Sequence, residues 1–336
     1  MRLHRIALGA VVASTLALTG CGATKDNATT DSSAGSGGAA KPATGLQYMV
    51  PNAPGGGYDT TARAAAQVME KEGITGPVQV FNLPGAGGTV GLQRVVNEEG
   101  NGQLAMQMGL GVLGAAYTQK SKASLNETTP IAKLIEEAGA IVVPKDSPYT
   151  DIKGLVAAWK ADPAKVTIGG GSSPGGPDHL FPMELAKAVG VDPKSVNFVT
   201  YDGGGDLLTA LLGKKITVGT SSPGELIDQI EAGQLRVLAV SSDERVEGVD
   251  APTLKESGID MTFANWRGVL APPGISDEAR KSMIRVLEDL HGTQGWKDAL
   301  VKNGWTDAFV TGEAFEQFLV DQDNRVSTTL TELGLL

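Results

Sequence analysis

Val166-Thr167-Ile168-Gly169-Gly170-Gly171-Ser172-Ser173-Pro174-Gly175-Gly176 runs from a short apolar strand into a glycine-rich turn, and the apolar residues that follow, through Leu185 and Val189, return at helical spacing. The same unit recurs along the chain. Tyr48-Met49-Val50 leads into Pro54-Gly55-Gly56-Gly57 and a helix over 59–71 with Ala62, Ala65, Ala66 and Met69 on one face. Val78-Gln79-Val80-Phe81 leads into Pro84-Gly85-Ala86-Gly87-Gly88 and a helix through Val95 and Val96. Val196-Asn197-Phe198-Val199 leads into Gly203-Gly204-Gly205 and a helix over 206–212 that Gly213 stops. Strands alternating with helices of these lengths predict an α/β fold with parallel sheets and right-handed crossovers. Ligands of such sheets sit beyond the carboxyl ends of the strands, which is where each of these turns falls.

Two further apolar runs read as strands that pass between domains. Ala140-Ile141-Val142-Val143-Pro144 is stopped by proline and a turn before a helix over 151–161. Gly268-Val269-Leu270-Ala271-Pro272 is its counterpart, followed by a long helix over 276–291. The predicted division is a first lobe of 48–143 plus 265–336 and a second of 144–264. Two passes between lobes make a hinge.

The N-terminus predicts export. Arg2 and Arg5 precede an apolar run from Ile6 to Leu18 that is too short for a permanent membrane span, and Leu18-Thr19-Gly20-Cys21 has the form at which bacterial lipoproteins are cleaved and acylated. Residues 1–20 are expected to be a signal peptide, Cys21 the lipidated residue, and 21–47, rich in Ala, Gly, Ser and Thr, a flexible tether. The protein is then extracytoplasmic, held on the outer face of the cytoplasmic membrane or in the periplasm. Cys21 is the only cysteine, so no disulfide forms within the chain. Without Arg2 and Arg5 the chain has 26 basic against 38 acidic residues, a charge of about −12 that argues against nucleic acid and anionic membrane surfaces as partners.

Three consecutive glycines before a helix leave amide donors uncovered at the positive end of its dipole, which suits an anion. Gly55, Gly56 and Gly57 form one such turn, with Tyr58 as a wall and Asp59 as a capping or orienting group. Ser172, Ser173 and Gly175 form another, with hydroxyls able to donate to a carboxylate. Gly203, after Tyr201, begins a third, and Gly85 with Ala86 belongs to a fourth. The spacing over 85–91 does not match a dinucleotide fingerprint, and no phosphate loop is present. A Ser173, Asp178 and His179 grouping is the one catalytic constellation, without a nucleophile turn to support it. One usable histidine and no free thiol argue against zinc, a hard cation held by carboxylates stays open, and no cofactor or metal is assigned.

Pro54-Gly55-Gly56 with Asp59 and Arg63, Asn82 with Pro84 to Gly88, Asp146-Ser147-Pro148-Tyr149, His179-Leu180, Tyr201 with Gly203, Leu235 to Val240, Pro252-Thr253-Leu254 and Trp266 with Gly268 stand in an order that resembles the solute-binding component of tripartite tricarboxylate transporters, the Bug family of extracytoplasmic receptors. The resemblance implies a two-lobed periplasmic-binding-protein fold of type 2, no enzymatic activity, and a carboxylate ligand (a tri- or dicarboxylate, an acidic amino acid or an aromatic acid) gripped at 54–59 and 170–176 with the Tyr201 loop closing one side. It also implies a permease of one large and one small subunit as partner. Tyr58, Gly176 and Pro182 depart from the common pattern and bear on the ligand's identity. Two other functions use the same residues: a sensor that signals to a membrane kinase from the same cleft, and a hydrolase built on Ser173 and His179.

Overall fold

The computed structural model describes residues 45–201 and 203–336. The expected signal peptide, Cys21 and all of the tether up to residue 44 lie outside the described residues. Among those described, no helix is long and apolar enough to cross a membrane.

The chain begins with β1 (Gln47–Val50), α1 (Gly57–Lys71), β2 (Gln79–Asn82), α2 (Thr89–Asn97), β3 (Leu104–Gly109), α3 (Leu110–Thr118) and β4 (Thr129–Ala138). It then crosses into β5 (Ala140–Pro144), α4 (Ile152–Ala161), β6 (Thr167–Gly170), α5 (Pro177–Ala188), β7 (Asn197–Thr200), α6 (Gly204–Leu212), β8 (Val218–Ser221), α7 (Ile227–Glu231) and β9 (Leu235–Val240). It returns through β10 (Ala264–Ala271), α8 (Asp277–Gly292), α9 (Gln294–Asn303), β11 (Thr306–Thr311) and α10 (Gly312–Leu333). The helix starts follow local chemistry. Asp151 and Ser276 cap α4 and α8, accepting from the amides of Gly154 at 2.7 Å and Ala279 at 3.2 Å.

Two sheets result, ordered β11-β4-β10-β3-β1-β2 and β7-β6-β8-β5-β9. Each has a parallel part, β3-β1-β2 and β7-β6-β8, in which the predicted strand, glycine turn and helix units lie side by side. The remaining pairs are antiparallel, because β10 and β5 enter their sheets against the direction of the βα units. The sheets are therefore mixed rather than parallel throughout. The α/β class and the two-lobed architecture agree with the sequence reading.

The lobe boundary differs from the one read in the sequence. Residues 140–143 were assigned to the first lobe, yet β5 pairs with β8 and β9 of the second sheet. The crossing sits instead at Gly139, and the return crossing at Phe263, next to β10. Both are tied to Ser241, which is fully buried. Its hydroxyl accepts from the Gly139 amide at 2.7 Å and donates to the Phe263 carbonyl at 2.5 Å, while its own amide donates to the Gly139 carbonyl. A buried hydroxyl that joins both strand crossings has no water to replace those partners. Ser241→Ala is expected to lower unfolding free energy by about 1–3 kcal/mol, the usual cost of stranding buried hydrogen-bonding groups. Urea denaturation measures it, and an unchanged midpoint would show that the crossings do not depend on this residue.

α10 links the lobes a third time. Tyr117 on α3 donates to Asp323 at 2.8 Å, and Lys187 and Arg325 form ion pairs that join α10 to α5 of the second lobe. Trp266, 1% exposed, packs edge-on against Phe318 and donates to Gln322 at 3.1 Å, so it belongs to the core under α10.

Candidate functional site

The glycine turns of both lobes open onto one cavity of about 940 Å³. Gly55, Gly56, Gly57 and Tyr58 line it from the first lobe, as do Gly85 and Ala86. Ser172, Ser173 and Gly203 line it from the second. The sequence reading placed all nine in the site. Three other expected contact residues do not line the cavity: Asp59, Gly175 and Tyr201.

Asp59 is 4% exposed and lies beneath the first turn. Its carboxylate accepts from the Gly55 amide at 2.9 Å, from Arg63 at 2.9 Å and from Asn82 at 2.8 Å, and Asn82 also donates to the Asn52 carbonyl at 3.0 Å. Burial works to raise its pKa, but the Arg63, Gly55 and Asn82 hydrogen bonds outweigh it and hold the carboxyl below the usual range. Asp59 shapes the turn from beneath and is absent from the cavity lining. Gly175 faces Gly114 of α3, and its amide donates to His179 Nδ1 at 3.0 Å. Tyr201 packs with the second-lobe core.

Tyr58 is turned inward rather than across the mouth. Its hydroxyl accepts from the Val112 amide at 3.3 Å, and it lies so close to Gly111 that a Cβ there would come within 2.9 Å of the hydroxyl. It thus covers the first turn of α3, where no side-chain cap exists. Burial pushes its phenol up to about 12, so it stays protonated.

The donors left for a ligand are fewer than the count of glycines. Gly171 donates to Asp178 Oδ2 at 3.0 Å, Gly55 to Asp59, and Gly176 to the Ser173 carbonyl. The first turn of α1 has no side-chain cap, and neither has that of α6, and both open on the cavity. Among the described residues no side chain caps either helix start, so both present first-turn amides at the cavity wall. Ala86 stands there with φ 46°, a left-handed conformation that costs a residue with a Cβ energy.

Of the charged residues of the cavity, the sequence reading named only Asp178, within the catalytic grouping, and did not place Arg267, Glu137 or Glu225 in the site. Arg267 on β10 is 3% exposed and donates to Thr61 at 3.0 Å and to Glu137 of β4. A register shift between Arg267 and Gly268 re-aims the strand here. Gly57 leaves room for the guanidinium, since a Cβ on it would fall 2.3 Å from Arg267 Nη2. Glu137, Asp178 and Glu225 also line the cavity. Burial pushes the Glu137 carboxyl up, Arg267 draws it back, and Glu225 adds to the rise. Burial and repulsion from Glu225 push Asp178 well up. No periodicity points to these residues. The one local signal was Arg267 beside the conspicuous Gly268.

The hydrolytic constellation does not assemble. His179 Nδ1 is occupied by the Gly175 amide, its ring packs on Phe198 at 4.7 Å, and it lies outside the cavity lining. Burial lowers its pKa to about 4. The folded state then declines a proton that the unfolded chain accepts below about 6.5, so stability is lost as pH falls from about 6.5 to about 4, by on the order of 3 kcal/mol. Comparing urea midpoints of the protein and of His179→Gln at pH 7 and pH 4.5 isolates this contribution. Equal acid sensitivity of the two would refute it.

Residues 61–335 match the family model described as the tripartite tricarboxylate transporter family receptor. A protein of Cupriavidus necator, the UPF0065 protein in the gbd 5' region, is 28% identical over 297 residues, 86% of this chain and 88% of its own length. A solved TctC solute-binding protein from Polaromonas is 28% identical with a TM-score of 0.70, over 87% of this chain and 99% of that one. A Rhodopseudomonas palustris protein solved with adipate shares the fold at a TM-score of 0.77 and 20% identity, over 87% of this chain and 98% of that one. With a two-lobed α/β frame and a single cavity between its glycine turns, this chain belongs to the receptor family of the tripartite tricarboxylate transporters.

Proposed function

We propose that the chain is an extracytoplasmic receptor, lipid-anchored at Cys21, that captures a small carboxylate in the cleft and delivers it to a membrane permease of one large and one small subunit. The observation that carries the reading is the convergence of uncapped helix starts, α1 from one lobe and α6 from the other, on the same cavity. The adipate carried by the Rhodopseudomonas palustris neighbour supports a carboxylate as ligand. Gly55, Gly56 and Gly57, with Gly85 and Ala86, form the first-lobe wall of the site, and Ser172, Ser173 and Gly203 the second. Asp59, Gly175 and Tyr201 hold those walls in place. Binding is without turnover.

The protein is unfolded, stripped of ligand by dialysis and refolded, and a panel of small carboxylates is titrated by calorimetry with small-angle scattering in parallel. One site per chain and a fall in radius of gyration on binding are expected, because the ligand joins two lobes across a hinge. Failure of every carboxylate to bind would sink the reading. Cys21→Ser, expressed from the full chain, should move the protein from the membrane to the soluble extracytoplasmic fraction.

A further inference from the structure

The cavity is richer in acceptors than a receptor for a polyanion should be. Among the described residues, three carboxylates line it, Glu137, Asp178 and Glu225, against one cation, Arg267, whose guanidinium is already engaged by Glu137 and Thr61. Each acid has one oxygen held by the protein. Ser222 donates to Glu137 Oε2 at 3.1 Å, Gly171 to Asp178 Oδ2 at 3.0 Å and Ser221 to Glu225 Oε2 at 2.9 Å. Beyond these, Glu137 has the Trp305 indole beside it, Asp178 has the Ser172 hydroxyl, and Glu225 is exposed. Glu137 is the telling member, since it is 5% exposed, lines the cavity and has Arg267 as its ion-pair partner. Asn265 donates to Glu137 at 3.3 Å and leaves its own Oδ1 buried without a donor in the same lining.

Acids crowded into one cavity beside an already engaged arginine, with the unmet Asn265 acceptor among them, call for a group that only donates. Burial and the neighbouring acids push both Glu137 and Asp178 up, and for Glu137 the pull of Arg267 offsets the rise only in part. A dicarboxylate would add two charges beside these three acids. An ammonium or guanidinium would satisfy them.

We infer that the ligand is a zwitterion, an amino-carboxylate whose acid end sits on the first-turn amides of α1 and whose cationic nitrogen is held by Glu137, Asp178 and Glu225. The two ends are close neighbours, because Gly57 at the start of α1 lies against Arg267 and Arg267 against Glu137. A short spacing between carboxylate and nitrogen fits that geometry.

The inference rests on the carboxylate-receptor reading above, and the test separates the two. Ligand-stripped protein is titrated with the neutral and basic amino acids, 4-aminobutanoate and 5-aminopentanoate, and in parallel with succinate, glutarate, adipate and citrate. At least one amino-carboxylate should bind 30-fold or more tightly than any dicarboxylate. Glu225→Gln should weaken it at least 10-fold with an unchanged melting temperature, Glu225 being exposed at the cleft. Tighter binding of a dicarboxylate, with Glu225→Gln neutral or favourable, would overturn the inference and leave the receptor reading standing. Dicarboxylate binding that requires added Ca²⁺ or Mg²⁺ would overturn it too, since the acids would then serve a metal ion. Binding of no carboxylate at all would remove both.

Discussion

Gly114→Ala is expected to weaken ligand capture by about 10-fold to 100-fold, although residue 114 lies outside the cavity lining. Gly114 is on α3 in the first lobe, and a Cβ there would fall 1.8 Å from the Gly175 carbonyl oxygen in the second. That neighbour is backbone, so no rotamer change relieves it. Thr118, one turn on, donates to the Pro174 carbonyl at 2.9 Å, which pins the same approach. Overfilling a close contact of this kind typically costs about 1–3 kcal/mol, and each 1.4 kcal/mol is a factor of ten in affinity. The lobes would meet at a different angle, and the walls carrying Gly57 and Ser173 would no longer face each other at their present distance. Calorimetry on the stripped protein measures the loss, and scattering reports the changed lobe angle. Unchanged affinity together with an unchanged radius of gyration would mean that the lobes are not set by this contact.

Gly175 shows where a sequence reading can find the right residue for the wrong reason. A glycine in a glycine-rich turn before a helix reads as an amide donor, and most of its neighbours in the turn do line the cavity. Its actual partner is another glycine 61 positions earlier, on a helix with no amphipathic period to announce it. The stretch 104–118 is apolar almost without interruption, so neither a spacing of two nor one near four stands out, and β3 and α3 stayed hidden. β4 was hidden for the opposite reason. Lys133, Glu136 and Glu137 look like a solvated helix face, but Lys133 lies over the Phe318 ring at 4.2 Å and pairs with Glu136, while Glu137 turns to Arg267. Charges that find partners far along the chain leave no local pattern.

The glycine turns and their strands were legible because their cause is local. Positive φ, a cap and a period are written within a dozen residues. The polar chemistry of the cleft is not local, since Glu137, Asp178, Glu225 and Arg267 come from four separate elements or turns brought together by the two sheets. The consequence reaches function. Glycine turns alone suggest any small anion, whereas the acids that share the cavity are what the zwitterion proposal rests on.

Arg267→Met is expected to produce the largest loss of stability of any single substitution in the cleft, about 3–5 kcal/mol, the range found when one partner of a buried ion pair is removed. The guanidinium is 3% exposed and Glu137 5%, so water cannot replace the missing charge. Glu137 would respond by holding a proton. Its pKa is already raised by burial with Arg267 present, and without that cation the rise is larger. The sign of the pH dependence follows. A carboxyl whose pKa is higher folded than unfolded makes the folded state bind more protons, so the variant regains stability as pH falls and loses it as pH rises. Glu137→Gln added to Arg267→Met should recover most of the loss at neutral pH, because a neutral amide leaves no charge to strand. Urea midpoints of the single and double variants between pH 5 and pH 8 give the whole comparison. A double variant no more stable than Arg267→Met would show that the guanidinium acts through its packing under Gly57 and its bond to Thr61, and that the ion pair contributes little.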